Sequence, residues 1–382
     1  MSFPTFSQRE ARLLFSHLPN IGPILCDRLN QAFKGDLAQA LFAPSETLLS
    51  IQGIGKVLAE TIFNWRKCVD LPKIQAALQK ANTTFLIPED EGYPELLKEI
   101  PDAPIGLYVK GNTPPQVPSI AIVGSRRATL YGRGIAEKFS HKLAEKGFAI
   151  VSGMARGIDG SAHTGALQAQ GATVAVLGTG VDLIYPPEHA DLYKKIVEQG
   201  TVLSEFPLSR PADRQTFPMR NRIIAGMCYA TIVVESDSNG GSMITARLAG
   251  EMGRTVFAIP GRIDQVSSRG CHALIREGAT LLTDIEEVIE DLAPIIQKRL
   301  PLTFGKQTEL FAAPWEPQAD LSDFDNTLLK TLFEKGPSSL DELADTLESP
   351  IHRISSSLMQ LEIKKHLAKK MDGRFEACSL GY

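Results

Sequence analysis

Three times in the middle of this 382-residue chain, a short apolar run meets a Gly/Ser turn and then a helical pattern. Ile120-Ala121-Ile122-Val123 leads into Gly124-Ser125-Arg126-Arg127, and Ala149-Ile150-Val151 into Ser152-Gly153-Met154-Ala155-Arg156-Gly157. Thr231-Ile232-Val233-Val234-Glu235 leads into Ser236-Asp237-Ser238-Asn239-Gly240-Gly241-Ser242. Each such turn exposes backbone N–H groups at the positive end of a helix, a ready anion site. In a parallel sheet all three turns lie along one edge, outside the carboxyl ends of the strands. One such turn reads as a mononucleotide pocket. Three in a row, two of them carrying arginine, point to a surface for several phosphates of one chain.

The surrounding pattern predicts that sheet. Short β-branched runs near 120–123, 148–151, 173–177, 201–204, 231–235, 255–259 and 279–283 alternate with helical stretches. This is a repeated βαβ rhythm: an α/β fold, a parallel sheet with helices on both faces. Residues 1–82 read as a separate helical domain with two related pieces. Leu18-Pro19-Asn20-Ile21-Gly22-Pro23 and Ile51-Gln52-Gly53-Ile54-Gly55-Lys56 each precede an apolar-spaced helix, as in a helix-hairpin-helix. The second matches well and the first only in part. Such turns can offer N–H groups to a DNA phosphate, or simply be tight turns. The sheet domain spans 83–295, after a Pro-rich connector that holds one further strand at Gly106-Leu107-Tyr108-Val109. A break starting near Pro294 opens a linker over 296–322. Residues 323–382 read as three helices and a hairpin, a winged helix-turn-helix. Its third helix carries Arg353 but mostly Ser, Met and Gln, which argues against sequence-specific major-groove readout.

Composition limits the partners. The formal net charge is −4, so any grip on a polyanion must come from a local patch. Two sets of arginines supply candidates: Arg126, Arg127, Arg133 and Arg156, and Arg210, Arg214, Arg220 and Arg222 with Asp213 among them. The five cysteines are scattered with no C-x-x-C pair, which fits a reducing compartment. Met1–Leu18 has no signal-peptide core and no apolar stretch can span a bilayer, so the expected place is the cytoplasm, with no membrane partner. No P-loop is present, Gly178-Thr179-Gly180 stops short of a dinucleotide fingerprint, and no zinc spacing occurs. No cofactor and no metal are expected.

Two constellations invite a chemical reading. Asp159 and His163 stand four apart at a helix start and could form a base–orienter pair. The plainer reading is a helix cap and an internal hydrogen bond, since no nucleophile stands nearby. Thr216-Phe217-Pro218-Met219-Arg220-Asn221-Arg222 places an aromatic ring at a helix entrance beside two arginines and an amide. Phe217 can stack on a base, or it can plug the core.

Taken together, these runs resemble the DprA (Smf) family, the DNA-processing protein of natural transformation. The matching residues are Val123-Gly124-Ser125-Arg126 with Thr129 and Tyr131-Gly132; Ser152 to Asp159 with Ala162-His163; Tyr185-Pro186; and Ser204-Glu205. They continue through Phe217 to Arg222, Gly241 to Ala246 and Pro260-Gly261, in family order across the core. His272 departs from the family, which usually has Asn there. The resemblance implies an extended Rossmann fold that binds single-stranded DNA without catalytic turnover. It implies a dimer that helps place RecA on incoming strands otherwise covered by single-strand-binding protein. It carries over, as phosphate-binding residues, Gly124, Ser125, Arg126, Ser152, Gly153, Arg156, Asn221, Gly241, Ser242 and Thr245, with Phe217 as the base contact; Arg220 and Arg222 join the nucleic-acid-binding set from their place beside Phe217 in the run above. Leu274, Ile275 and Leu281 are its dimer candidates.

Two rivals remain at this point. Gly240-Gly241-Ser242-Met243-Ile244-Thr245 with Glu251 loosely resembles the phosphate loop and acid of nucleoside-monophosphate phosphoribohydrolases, with Met243 where glycine is needed. A transcription regulator led by the winged helix is the other.

Overall fold

Near the centre of the chain, short runs rich in apolar and β-branched residues become strands buried on both faces. A computed structural model describes residues 6–299, 321–335, 338–347, 349–364, 366–369 and 374–377. The strands of its main sheet are β1 (Thr84–Leu86), β2 (Leu107–Gly111), β3 (Ser119–Val123), β4 (Ala149–Ser152), β5 (Thr173–Val176), β6 (Thr201–Ser204), β7 (Ala230–Val233), β8 (Thr255–Ala258) and β9 (Thr280–Leu281). They lie in the order β1-β2-β6-β5-β4-β3-β7-β8-β9. From β6 to β9 every pairing is parallel, while β1 and β2 add an antiparallel edge. Every residue of β3, β4, β5 and β7 is buried, which is why these strands read as nearly continuous apolar runs, broken only by small Ser and Thr, rather than alternating ones.

The chain steps outward from β3 through β4 and β5 to β6, then returns to lay β7 on the other side of β3. Connections that diverge from neighbouring strands leave a crevice at their carboxyl ends. Two glycines let the crevice walls approach each other. A Cβ on Gly124, just after β3, would stand 2.5 Å from Ile158 Cγ1. Gly157 has φ +75, and a Cβ there would stand 2.3 Å from the Ser125 carbonyl oxygen. The turns after β3 and β4 are therefore interlocked.

The chain forms two compact units, Met1–Phe304 and Gly305–Tyr382. Within the first, the helical N-terminal segment shares a continuous core with the sheet: Leu14, Phe15, Leu29 and Ile62 cluster with Phe85 and Tyr108. Its two hairpin turns have matching backbones. Asn20 (φ +62) and Gly53 (φ +91) hold the same left-handed place, which asparagine tolerates better than other side chains. Ile21 and Ile54 follow, both buried, and Gly22 and Gly55 precede the helices Pro23–Ala32 and Lys56–Phe63. The copy that looks partial in sequence is complete in conformation.

The break expected at Pro294 comes later. Pro294 lies inside the helix Ile285–Arg299. A proline in a helix costs about 3 kcal/mol, and here buried Leu292 and Ile296 with an Arg299–Glu99 ion pair at 2.5 Å hold the helix through it. Most of the expected linker lies outside the described residues.

In the second unit, helices Asp323–Lys335, Leu340–Thr346 and Ile351–Ile363 precede a hairpin of β10 (Leu367–Lys369) and β11 (Phe375–Ala377). Leu328, Leu332, Leu343, Ile354 and Leu358 form its core. Ser339 and Glu342 cap the middle helix reciprocally, as the sequence predicts. Arg353 lies over the Phe324 ring at 4.0 Å, so its charge is already engaged. The tip of the expected wing, 370–373, lies outside the described residues.

Gly157→Ala is expected to cost about 1–3 kcal/mol through its left-handed backbone and the clash with Ser125. Urea denaturation of the full chain checks this, and an unchanged midpoint would contradict the interlock.

Candidate nucleic-acid interface

A cleft of about 690 Å³ opens at the carboxyl ends of β3 and β7. The glycine turns around it do not play equal parts, because the chain's own carboxylates fill most of them. After β3, the Ser125 N–H donates to the Glu235 carbonyl at 2.7 Å. The buried Glu235 carboxylate then accepts from the Thr129 N–H at 2.9 Å and the Thr129 hydroxyl at 2.6 Å, closing the start of helix Leu130–Glu145. After β4, Asp159 accepts from the N–H groups of Gly153 at 3.2 Å and Ala155 at 3.3 Å. At helix Thr216–Gly226, Asp213 accepts from Gln215 at 2.8 Å and Thr216 at 2.9 Å. Helix Gly241–Glu251 differs: no side chain caps it, and the space beside Gly241 is open. Of the three turns read from the sequence, the helix start at Gly240-Gly241-Ser242 is thus the least occupied among the described residues, although Asp237 takes the Ser238 N–H at 2.7 Å earlier in the same turn. There the Ser242 hydroxyl donates to Ser236 Oγ at 2.8 Å, and Asn221 Nδ2 donates to the Gly241 carbonyl at 3.4 Å.

The cleft wall facing these groups comes from helix Thr216–Gly226. Phe217, Arg220, Asn221 and Ile224, at helical spacing, line it. Phe217 is half-buried. The Arg126 guanidinium lies over its ring at 4.8 Å, and the Tyr185 ring stands 5.7 Å away, tilted by 45°. Arg127 and Arg214 also line the cleft and are exposed. Gly124, Ser125, Gly241, Ser242 and Thr245 line it as expected from the sequence.

Arg220 sits beneath this surface, 4% exposed. Its Nη1 donates to the Val176 carbonyl at 2.7 Å, and Nε has no partner among the described residues. A Cβ on Gly153 would fall inside its guanidinium, so only glycine fits there. Burial lowers its pKa to about 10, against the pull of Asp159, and it remains charged at neutral pH. Burial pushes the Asp159 carboxyl up, opposed first by Arg220 and then by the N–H groups of Ala155 and Gly153.

Other expected site residues are placed elsewhere. Arg222 does not line the cleft. It is two-fold bonded to Glu205 at 2.5 Å, with Asp102 Oδ2 at 3.1 Å, and both it and Glu205 are nearly buried. The Ser152 hydroxyl donates to the Ile122 carbonyl at 2.7 Å, inside the sheet. Arg156 is exposed at the rim of a small adjoining pocket and is paired with Glu188. Of the dimer candidates, Leu274 is buried in its own core, Ile275 is half-buried against that core, and Leu281 is exposed on the edge strand β9. His272 Nε2 lies 3.0 Å from the Gly261 carbonyl oxygen, filling the place where the resemblance leads one to expect Asn.

Asp159 and His163 do not pair. His163 Nδ1 bonds Thr173 Oγ1 at 2.8 Å, and burial pushes its pKa down to about 3. Among the described residues, no group of three or more His, Cys, Asp or Glu is arranged to hold a metal, and no helix is long and apolar enough to cross a membrane. Sequence reasoning missed Tyr185, Asp237 and Ser236 as cleft residues and did not single out Arg127 and Arg214 from their clusters. Arginine clustering beside the turns was the available signal for the last two.

An open doubly wound sheet, with exposed arginines beside an aromatic ring at its switch point, places the chain among Rossmann-like α/β proteins. Residues 84–293 match the family DNA recombination-mediator protein A. The chain belongs to that family. It is 34% identical to Protein Smf of Synechocystis over 97% of this chain and 99% of that one. It is 46% identical to the DNA processing protein DprA of Streptococcus pneumoniae over 53% of this chain and 72% of that one. The X-ray structure of the pneumococcal DprA superposes with a TM-score of 0.65 at 36% identity, covering 75% of this chain and 98% of that one. DNA processing protein A from Helicobacter pylori, solved to give insight into its single-stranded DNA binding mode, superposes at 0.50 with 29% identity, covering 56% of this chain and 98% of that one.

Removing Arg222 alone leaves a buried Glu205 unpaired, so Arg222→Ala is expected to cost about 3–5 kcal/mol of stability. The double variant Arg222→Met, Glu205→Leu is expected to recover most of it in urea denaturation. Lost DNA binding at full stability would instead return Arg222 to the cleft. A histidine whose folded pKa lies below its ordinary value destabilises the fold as pH falls beneath that ordinary value. Between pH 7 and pH 5 the wild type is therefore expected to lose about 2 kcal/mol more than His163→Gln. The reverse order would mean a charged His163, as the paired reading requires.

Proposed function

We propose that this protein binds single-stranded DNA along the cleft as a dimer in the cytoplasm, and passes the strand to RecA without chemical turnover. What supports this reading most is the arrangement of Arg126, Arg127 and Arg214 around Phe217, opposite the uncapped helix start at Gly241. Guanidinium groups and free N–H groups suit phosphates, and an accessible ring suits an unpaired base. Duplex DNA keeps its bases stacked and should bind worse. The single-stranded DNA binding of the Helicobacter relative is consistent with this reading. RecA, single-strand-binding protein and dimerisation through Ile275 and Leu281 come from the family resemblance and are carried here as part of the proposal.

The phosphoribohydrolase reading has less support. Met243 is buried rather than leaving room for a phosphate, and Glu251 is exposed at the far end of its helix, about 9 Å along the axis beyond Thr245, the last cleft-lining residue of that helix, at 1.5 Å per residue. Free base released from AMP would revive it.

The test is fluorescence anisotropy of the full chain with labelled oligo-dT, unlabelled duplex as competitor and salt varied. With about four phosphates neutralised, log K should fall with log salt at a slope near −3, at roughly −0.7 per phosphate. Arg126→Ala should make the slope shallower by about 0.7. Phe217→Ala should cost about 1–3 kcal/mol with little change in slope. A salt-independent wild type, or one displaced equally by duplex, would refute the proposal.

A further inference from the structure

Helix Leu130–Glu145 begins where the cleft lining ends. Arg126 and Arg127 line the cleft, Ala128 is buried, and Thr129 is fastened to Glu235 by both its N–H and its hydroxyl. The first turn of the helix is thus firmly held. It presents two large side chains to solvent, Leu130 at 87% and Tyr131 at 59% exposure. That turn contains no carboxylate. Arg127 and Arg133 are exposed, and neither has an ion-pair partner among the described residues. Gly134 is exposed too, with nothing within 4 Å of where a Cβ would be.

Folding accounts for none of these choices. A surface helix places polar side chains outward, and glycine weakens an exposed helix. Side chains on a helix lean toward its N-terminus, and residues three apart share a face. Gly134 is therefore a position from which a side chain would lean over Tyr131, and with glycine there the ring stays uncovered.

We infer that this turn is a second platform for single-stranded DNA. Tyr131 stacks a base of the strand as it leaves the cleft, and Arg127 and Arg133 take the flanking phosphates. This rests on the reading of the cleft as a single-strand site. The occupant is argued from charge and continuity. The apolar surface is narrow and set among unpaired arginines, the combination of ring and cations that tracks a single strand, whereas a protein-docking face is a broader apolar patch. Arg127 belongs to both sites, so the two are joined without a gap.

The test compares labelled oligo-dT of about 6 and about 20 nucleotides, lengths that separate one contact region from an extended path. Tyr131→Ala in the full chain is expected to weaken the longer strand about tenfold, the effect of one lost base stack, and to leave the shorter within about twofold. Tyr131→Phe keeps the ring and should restore the longer strand to wild-type affinity. Light-induced coupling of a 5-iodouracil placed near the strand end should mark Tyr131 in the wild type. Wild-type affinity of Tyr131→Ala for the longer strand overturns the platform, as does equal weakening at both lengths. Retained DNA binding with loss of a protein complex would assign the turn to a protein partner instead. A wild type that binds neither length removes the cleft reading itself, a result distinct from failure of the platform alone.

Discussion

The cleft depends on one buried charge. Arg220 is sealed below the surface, yet it touches the parts that shape the site: its guanidinium bonds the end of β5, fills the space left by Gly153 after β4, and balances Asp159. Asp159 in turn holds the N–H groups of the β4 turn. A cation desolvated this far is costly unless its surroundings answer it. Here the answer is supplied by a carbonyl, a carboxylate and a glycine that gives way. The helix bearing Arg220 also carries Phe217 and Asn221, so the same burial that anchors the arginine sets the cleft wall.

The engaged carboxylates bear on how an acidic protein gathers exposed arginines around a cleft. Asp159, Asp213 and Glu235 are spent on backbone N–H groups, and Glu205 on Arg222. Asp159 and the exposed Asp237, which accepts from the Ser238 N–H at 2.7 Å, stay on the cleft lining, where Arg126, Arg127 and Arg214 outnumber them. The formal charge of −4 therefore says little about the local field. Glu235 also stiffens the walls, because it joins segments remote in sequence by closing a helix that starts at Leu130, whereas Asp159 and Asp213 bond N–H groups within their own turns.

Much of the sheet was legible because its determinants are local. β-branched runs of four or five residues between turn signals became β3 to β8 within a residue or two of their expected bounds. β1 was missed, and β9 shrank to two residues, since an edge strand needs less apolar surface. The fate of the turns was not legible. Ser152-Gly153 and Gly241-Ser242 look alike in sequence, but only structure shows that Asp159 already fills the first. Arg222 is a different case, because helical spacing alone separates it from the face of Phe217, Arg220, Asn221 and Ile224. Adjacency in sequence masks this separation, because Arg220 and Arg222 stand about 200° apart around the helix at 100° per residue. Asn20 likewise hid a complete hairpin turn, because its tolerance of a left-handed backbone does not show in a glycine pattern.

The donors that face the cleft bear on what kind of strand it suits. Guanidinium groups and N–H groups seek phosphate oxygens, which every nucleotide carries. Reading base identity calls for paired donors and acceptors held at fixed places, the role of Asn or Gln beside adenine. The one such amide here, Asn221, is already turned toward the Gly241 carbonyl, where it steadies the helix start rather than standing free. Phe217 offers a face that all bases can use. On the proposed reading, a site assembled from these parts would hold a backbone and be nearly indifferent to sequence. That indifference would follow from the scarcity of uncommitted amide groups among the cleft residues.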